Sequence, residues 1–265
     1  MEIQLINEGN TAEVYSWEEG KVLKLFRQSF PLGGVEQEYK VNKEVEKLGL
    51  PIPKAEEMIQ YNGRNGIVYE RVTGEAVLKL ITTKPLMAKK HVKHIAGLQY
   101  EMHQCKAKEL GSYKNALAWN ITHTSALPDC TKESILRMLD QLPEGDSLCH
   151  GDFHPGNIIK SKDKYVILDW MTAASGNPGM DVARTVLLIK DAGVPDYMPD
   201  YMKAIILIMR KRMLKQYLRT YKKLSGMTQE EIDCWRLPIL AARLVEWIPD
   251  TEQRALIQEI VQTLR

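Results

Sequence analysis

Over the first seventy residues apolar positions recur with a period of two. Glu2–Asn7 alternates, Ala12–Trp17 is short and β-prone, and Lys21–Phe26 reads KVLKLF with Val22, Leu23, Leu25 and Phe26 apolar, so three strands are predicted. Asn-Gly-Arg-Asn-Gly at 62–66 is turn chemistry between the β-like runs MIQY and IVYERV, which predicts a hairpin. One helix interrupts the strands. From Val35 to Leu48, the residues Val41, Val45 and Leu48 recur at helical spacing with Glu38 on or beside their face, and Gly49 and Pro51-Ile52-Pro53 stop the helix.

After Thr73-Gly74 the apolar period becomes 3.6 residues. Helices are predicted over Met87–Leu110, Thr131–Leu142, Asp181–Lys190, Tyr201–Leu224, Met227–Glu246 and Thr251–Leu264, with Thr228 and Glu231 in capping-box spacing. Tyr165–Leu168 and Asn157–Lys160 break this pattern as short strands. The chain therefore reads as a small β-rich part, residues 1–72, and a larger helical part, residues 73–265. Trp170, Trp235 and Trp247 read as core. His91, His94, His103 and His123 read as surface or internally satisfied histidines, and Glu246 and Asp250 as solvated helix positions.

Composition narrows the partners. Hydrophobic residues make up 44% and charged residues 26%, ordinary for a globular protein, and 36 Lys and Arg against 34 Asp and Glu leave a net charge of +2. So small an excess gives no ground for a nucleic-acid or membrane-surface partner. No signal peptide and no bilayer-length apolar run is visible, which points to the cytoplasm. The four cysteines show no CxxC pair, which argues against a disulfide framework or a thiolate zinc site. Oligomeric state is not legible.

The densest chemistry lies in Cys149–Asn157, CHGDFHPGN. His150 and His154 are four apart, yet Gly151, Pro155 and Gly156 argue against the helix that would make them a zinc pair, and Cys149 ends an apolar segment unsuited to a nucleophile. Phosphate chemistry fits better: His150, Asp152 and Asn157 have the H-x-D-x-x-x-x-N spacing of a kinase catalytic loop. An aspartate there can take the proton of an attacking hydroxyl, and the Asn157 carboxamide can ligate Mg²⁺ without adding charge beside the phosphates. Asp169 follows the apolar run Tyr165–Leu168, at a strand end, where a second Mg²⁺ ligand belongs. Lys24, alternating with Val22 and Phe26, supplies a cation for the α- and β-phosphates, with Glu38 as its ion-pair partner and Glu36 or Glu44 as alternatives. The expected phosphate-covering loop, Glu8–Tyr15, holds a single glycine, Gly9.

These residues, with Ile167-Leu168-Asp169-Trp170, Gly176-Asn177-Pro178 and Asp181-Val182-Ala183-Arg184, resemble the aminoglycoside phosphotransferase and choline kinase family over nearly the whole chain, fading after about residue 195. The resemblance implies an α+β, protein-kinase-like two-lobe fold with a small β-rich N-terminal lobe and a larger, mainly helical C-terminal lobe. It implies an ATP- and Mg²⁺-dependent kinase phosphorylating a hydroxyl of a small molecule, with aminoglycoside, choline-like and sugar-like alcohols as acceptor classes. By the same resemblance Asp152 is the catalytic base, Asn157 and Asp169 are the Mg²⁺ ligands, and Lys24 with Glu38 is the phosphate-binding pair. The main chain of Glu70 and Val72 holds adenine, and Asp181 orients the catalytic loop. A nucleotide- or ligand-binding protein of pseudokinase type is the alternative, motivated by the glycine-poor loop.

Overall fold

A computed structural model describes residues 3–162, 164–191 and 198–264. In chain order these form β1 (Leu5–Glu8), β2 (Ala12–Ser16), β3 (Lys21–Phe26), α1 (Leu32–Glu46), β4 (Ala55–Tyr61), β5 (Arg64–Glu70), β6 (Glu75–Ala76), α2 (Val77–Thr83) and α3 (Pro85–His103). There follow α4 (Tyr113–His123), α5 (Asp129–Gln141), β7 (Ser147–Cys149), a 3₁₀ turn (Pro155–Asn157), β8 (Ile158–Ser161), β9 (Lys164–Ile167) and β10 (Ala174–Gly176). The last elements are α6 (Pro178–Asp191), α7 (Asp200–Ser225), α8 (Glu230–Asp233), α9 (Arg236–Arg243) and α10 (Asp250–Thr263).

The chain groups into two compact units, residues 1–80 with 155–172, and residues 81–154 with 173–265. The change of periodicity near residue 72 follows chain order; compactness also assigns 73–80 and the β8–β9 hairpin to the first unit.

In the first unit an antiparallel sheet runs in the order β1-β2-β3-β5-β4, and β6-β8-β9 form a second, three-stranded sheet. Alternation along β3 sends Leu23 and Leu25 to one face, against Val68, Tyr15 and Trp17. Val22 and Phe26 point to the other, against Ile67, Ala55 and Val35 of α1. Lys24 shares the α1-facing side, as a period of two demands.

The β4–β5 turn is tighter than 62–66. Only Asn62 (φ 49°) and Gly63 (φ 73°) are left-handed, the signature of a two-residue hairpin loop, and β5 already begins at Arg64. The second Asn-Gly lies within the strand. Gly66 stands there because a Cβ would meet Leu23 Cδ1 at 2.7 Å and the Lys24 carbonyl at 3.0 Å.

The second unit is helical, with β7 and β10 as a small antiparallel pair. Three expectations shift here. The helix from Met87 stops at His103 and not Leu110, because the Cys105 carbonyl accepts from Leu148 N and Ala107 N donates to the Asp146 carbonyl, pairing this stretch with the approach to β7. The segment 227–246 is two helices: Pro238 has no N–H to give and its ring would clash with the carbonyl four residues back, so α8 and α9 separate at 234–235. The capping box at the head of α8 forms reciprocally, Thr228 N to Glu231 Oε2 at 2.7 Å and Glu231 N to Thr228 Oγ1 at 3.2 Å. Trp170 and Trp235 are core, but Trp247, beyond the end of α9, is 94% exposed. The helices α2 and α4 and the strands β7 and β10 have no counterpart among the sequence-based expectations, and Glu2 lies outside the described residues. Among the described residues no helix is long and apolar enough to cross a membrane.

Candidate active site

In the first unit the Lys24 ammonium donates to Glu38 Oε1 at 2.8 Å and to Asp169 Oδ1 at 3.0 Å. Glu38 is thus the lysine's partner; Glu36 is exposed and Glu44 pairs with Lys47. Glu38 is fixed in turn by Tyr69, whose hydroxyl donates to the same Oε1 at 2.9 Å and accepts from Asn42 Nδ2 at 3.1 Å. Asn42 also donates to the Glu38 carbonyl one turn back. Burial opposes the Lys24 charge, but the Asp169 and Glu38 carboxylates outweigh it and raise its pKa. Burial likewise pushes the Glu38 carboxyl upward, against the pull of Lys24. Glu38 Oε2 is buried with no hydrogen-bond partner, which marks the pair as an arrangement not optimised for stability alone.

Replacing Tyr69 by Phe leaves one N–H of the Asn42 amide without its acceptor and removes one donor from Glu38. The expected cost is about 1–2 kcal/mol, read by urea unfolding. An unchanged midpoint would show the hydroxyl carries no stabilising contact.

Asp169 is reached through the β8–β9 hairpin. Ile158 pairs with Ile167, and Leu168 N donates to the Asn157 carbonyl at 2.8 Å, so Asn157 and Asp169 flank the same open end. Trp170, fully buried, anchors the chain just beyond, its Nε1 donating to the Ile167 carbonyl. Asp169 itself is left-handed, φ 61°, a conformation that costs a non-glycine residue about 1 kcal/mol and that persists where surroundings enforce it. Its carboxylate is partly exposed.

The expected adenine-binding stretch begins where β5 ends. Glu70 N donates to the Lys54 carbonyl and Arg71 N to the Gly20 carbonyl, while among the described residues no acceptor is assigned to Val72 N. The single-glycine loop joins β1 to β2, with Gly9 N donating to the Ala12 carbonyl.

In the second unit residues 150–154 leave β7 and are held by α6. The Asp181 carboxylate accepts from Gly151 N at 2.7 Å, and Arg184 Nε donates to the Gly151 carbonyl at 3.1 Å, so both ends of this residue are pinned from one helix. Gly151 has φ 79°, open to glycine at little cost. Asp152 N donates to His150 Nδ1 at 3.2 Å, and His154 Nε2 lies 3.6 Å from Asp152 Oδ2. Burial works against the Asp152 charge; His154, Arg184 and His150 outweigh it and hold the carboxyl well below the usual range. Cys149 is buried and its thiol pushed up by that burial, which removes its nucleophilic character.

Asp181 is fully buried. Besides Gly151 it meets Gln99 Nε2 at 2.9 Å and His103 Nε2 at 3.1 Å, while His103 Nδ1 meets Tyr221 Oη at 2.6 Å. Burial opposes its charge, but these partners lower its pKa. His103 is therefore an internally satisfied histidine. Glu246 is not a solvated position: it pairs with Arg184 at 2.7 Å and Arg243 at 2.6 Å, and so braces the arginine that holds Gly151. The sequence carries no local signal for this, since Arg184 and Glu246 lie 62 residues apart.

Among the described residues no three His, Cys, Asp or Glu side chains cluster as a metal cage. A half-buried lysine held by two carboxylates, a hairpin carrying Asn and Asp at one end, and a pinned H-G-D loop are the residue types that the sequence reading expects of a kinase. The chain belongs to the Phosphotransferase enzyme family (APH), whose profile matches residues 2–214. No curated protein sequence matches it. Among solved structures it is similar to a thermostable mutant of aminoglycoside phosphotransferase APH(4)-Ia in ternary complex with AMP-PNP and hygromycin B, at 16% identity and TM-score 0.67, covering 98% of this chain and 93% of that one. It is also similar to the amicoumacin kinase hAmiN in complex with AMP-PNP, Ca²⁺ and Ami, at 13% identity and TM-score 0.64, covering 98% and 87%. A third is aminoglycoside 2'-phosphotransferase-IIIa in its GDP complex, at 14% identity and TM-score 0.63, covering 100% and 94%. At these identities the likeness establishes the fold, the protein-kinase-like α+β architecture.

Proposed function

We propose that the protein is an ATP- and Mg²⁺-dependent kinase that transfers the γ-phosphoryl group to a hydroxyl of a small molecule. The observation that carries this reading is Lys24 bonded at once to Glu38 and Asp169: a cation fixed between a buried and a partly exposed carboxylate is poised to meet the phosphates of a nucleotide. Asn157 and Asp169 offer one neutral and one anionic oxygen. That donor set suits Mg²⁺, which keeps water and phosphate oxygens for the rest of its shell. Held by Asn157 and Asp169, such an ion would supply charge neutralisation at the transferred group; Asp152 accepts the proton of the attacking hydroxyl and Lys24 binds the α- and β-phosphates. Glu70, through its carbonyl, and Val72, through its N–H, hold adenine. Of the solved relatives, one carries AMP-PNP with hygromycin B, one AMP-PNP with Ca²⁺ and Ami and one GDP, which supports a nucleotide cofactor and an aminoglycoside acceptor; choline-like and sugar-like alcohols are the other acceptor classes of this reading, which sets the protein in the cytoplasm. A binding protein without turnover is the second reading, favoured by the lone glycine of the β1–β2 loop.

The test is thermal stability with ATP and Mg²⁺ against ATP with chelator. At saturation of about 100 Kd a bound nucleotide adds about 2.7 kcal/mol, and the gain is expected only with Mg²⁺ and is lost in Lys24→Met. Identical melting in both conditions sinks the reading. Stabilisation without ATP consumption across the acceptor classes selects the binding protein.

A further inference from the structure

We infer that the outer face of α3 and α7 is a docking surface for an anionic lipid bilayer. The two helices pack in parallel: the Tyr217 hydroxyl donates to Gln99 Oε1 and Tyr221 Oη meets His103 Nδ1, the same offset in both pairs, so their N-terminal turns lie at one end. On α7 the residues Tyr201, Ile205, Ile208, Arg212, Lys215 and Arg219 follow each other at spacings of four and three, one outward stripe, and all are exposed. The first three are apolar, with Tyr201 68%, Ile205 52% and Ile208 53% exposed. The next three are cationic. The outward stripe of α3 repeats the order, with Leu86, 96% exposed, followed by Lys90 and Lys93. A contiguous exposed apolar patch rimmed by cations marks an interaction site.

The charge distribution chooses the occupant. The helices α3 and α7 hold eleven Lys and Arg beside two acidic residues, Glu101 and Asp200; the other 25 cations of the chain stand against 32 acidic residues. The net +2 therefore conceals a strongly basic helix pair on an otherwise acidic protein, and the ground for excluding a membrane surface falls away. Among the described residues Lys89, Lys90, Lys93, Arg212 and Lys215 enter no ion pair, so their field is directed outward. A nucleic acid matches the cations but not Leu86, Ile205 and Ile208, which neither stack on bases nor bond phosphate. A bilayer with anionic headgroups matches both: aliphatic side chains enter the headgroup boundary while Lys and Arg reach the lipid phosphates.

Sedimentation of the full chain with vesicles tests this. Binding is expected to phosphatidylcholine vesicles containing about one-third phosphatidylglycerol and not to phosphatidylcholine alone, and to weaken with salt. Arg212→Gln/Lys215→Gln/Arg219→Gln is expected to weaken binding about a hundredfold. Ile205→Ser/Ile208→Ser, which leaves every charge in place, is expected to weaken it about tenfold. Wild-type protein left in the supernatant with anionic vesicles at low salt overturns the inference. So does an Ile205→Ser/Ile208→Ser protein that binds as tightly as wild type, which would make the attraction purely ionic. Equal binding to neutral vesicles, or retention on single-stranded RNA with none on vesicles, also overturns it.

Discussion

Asp152→Asn is expected to lower phosphoryl transfer by about 10²–10⁴-fold while Mg²⁺-nucleotide stabilises the variant as it does the wild type. The carboxamide is nearly isosteric but takes no proton from a hydroxyl. The loop keeps its shape because Asp181 and Arg184 grip Gly151, not Asp152. Steady-state transfer and thermal shift, measured side by side, separate the two effects; turnover at the wild-type rate would remove Asp152 from the chemistry. A pH corollary follows from the lowered pKa of Asp152. A carboxyl depressed in the folded state contributes stability above its unfolded pKa of about 3.9 and loses it as pH falls toward the folded value. Asp152 is then fully ionised through neutrality, and an acid limb between about pH 5 and 8 must belong to another group.

Asp181→Ala is expected to cost about 3–5 kcal/mol of folding stability. The carboxylate is fully buried, and its removal leaves the Gly151 N–H, Gln99 and His103 without their common acceptor in a place water does not reach. At about 2–4 °C per kcal/mol the melting temperature falls by about 10 °C, measurable by calorimetry. Because Gly151 precedes Asp152, turnover falls as well. A variant melting within about 2 °C of wild type would show that the cluster is not the anchor its geometry implies.

Asp152, Asn157 and Asp169 stand out in the sequence because the hydroxyl activation and metal ligation proposed for them demand particular side chains at short spacings, and a hairpin fixes the separation of two of them. Lys24 and Glu38 are legible through periodicity, since a period of two and a period of 3.6 turn both toward one core. Glu246 is not: its partner Arg184 lies on another helix 62 residues away, and a glutamate near a helix end reads as solvated until packing delivers two arginines to it. Trp247 fails in the opposite direction, since an indole reads as core by its area alone and only the break after α9 leaves it in solvent. The second Asn-Gly reads as a turn because its residues favour one, whereas the closeness of β3 is what requires Gly66.

By itself, then, the sequence determined the change from a β-rich to a helical part and the family resemblance, and it singled out the residues proposed here for phosphate chemistry, because these rest on local periodicity and short-range spacing. Tertiary structure alone decided that residues 155–172 join the N-terminal compact unit, that Arg184, braced by Glu246, shares with Asp181 the hold on Gly151, and that the two cation-rich helices α3 and α7 pack side by side. Each of these is a meeting of residues far apart in the chain, fixed by burial and packing, which a one-dimensional pattern does not encode.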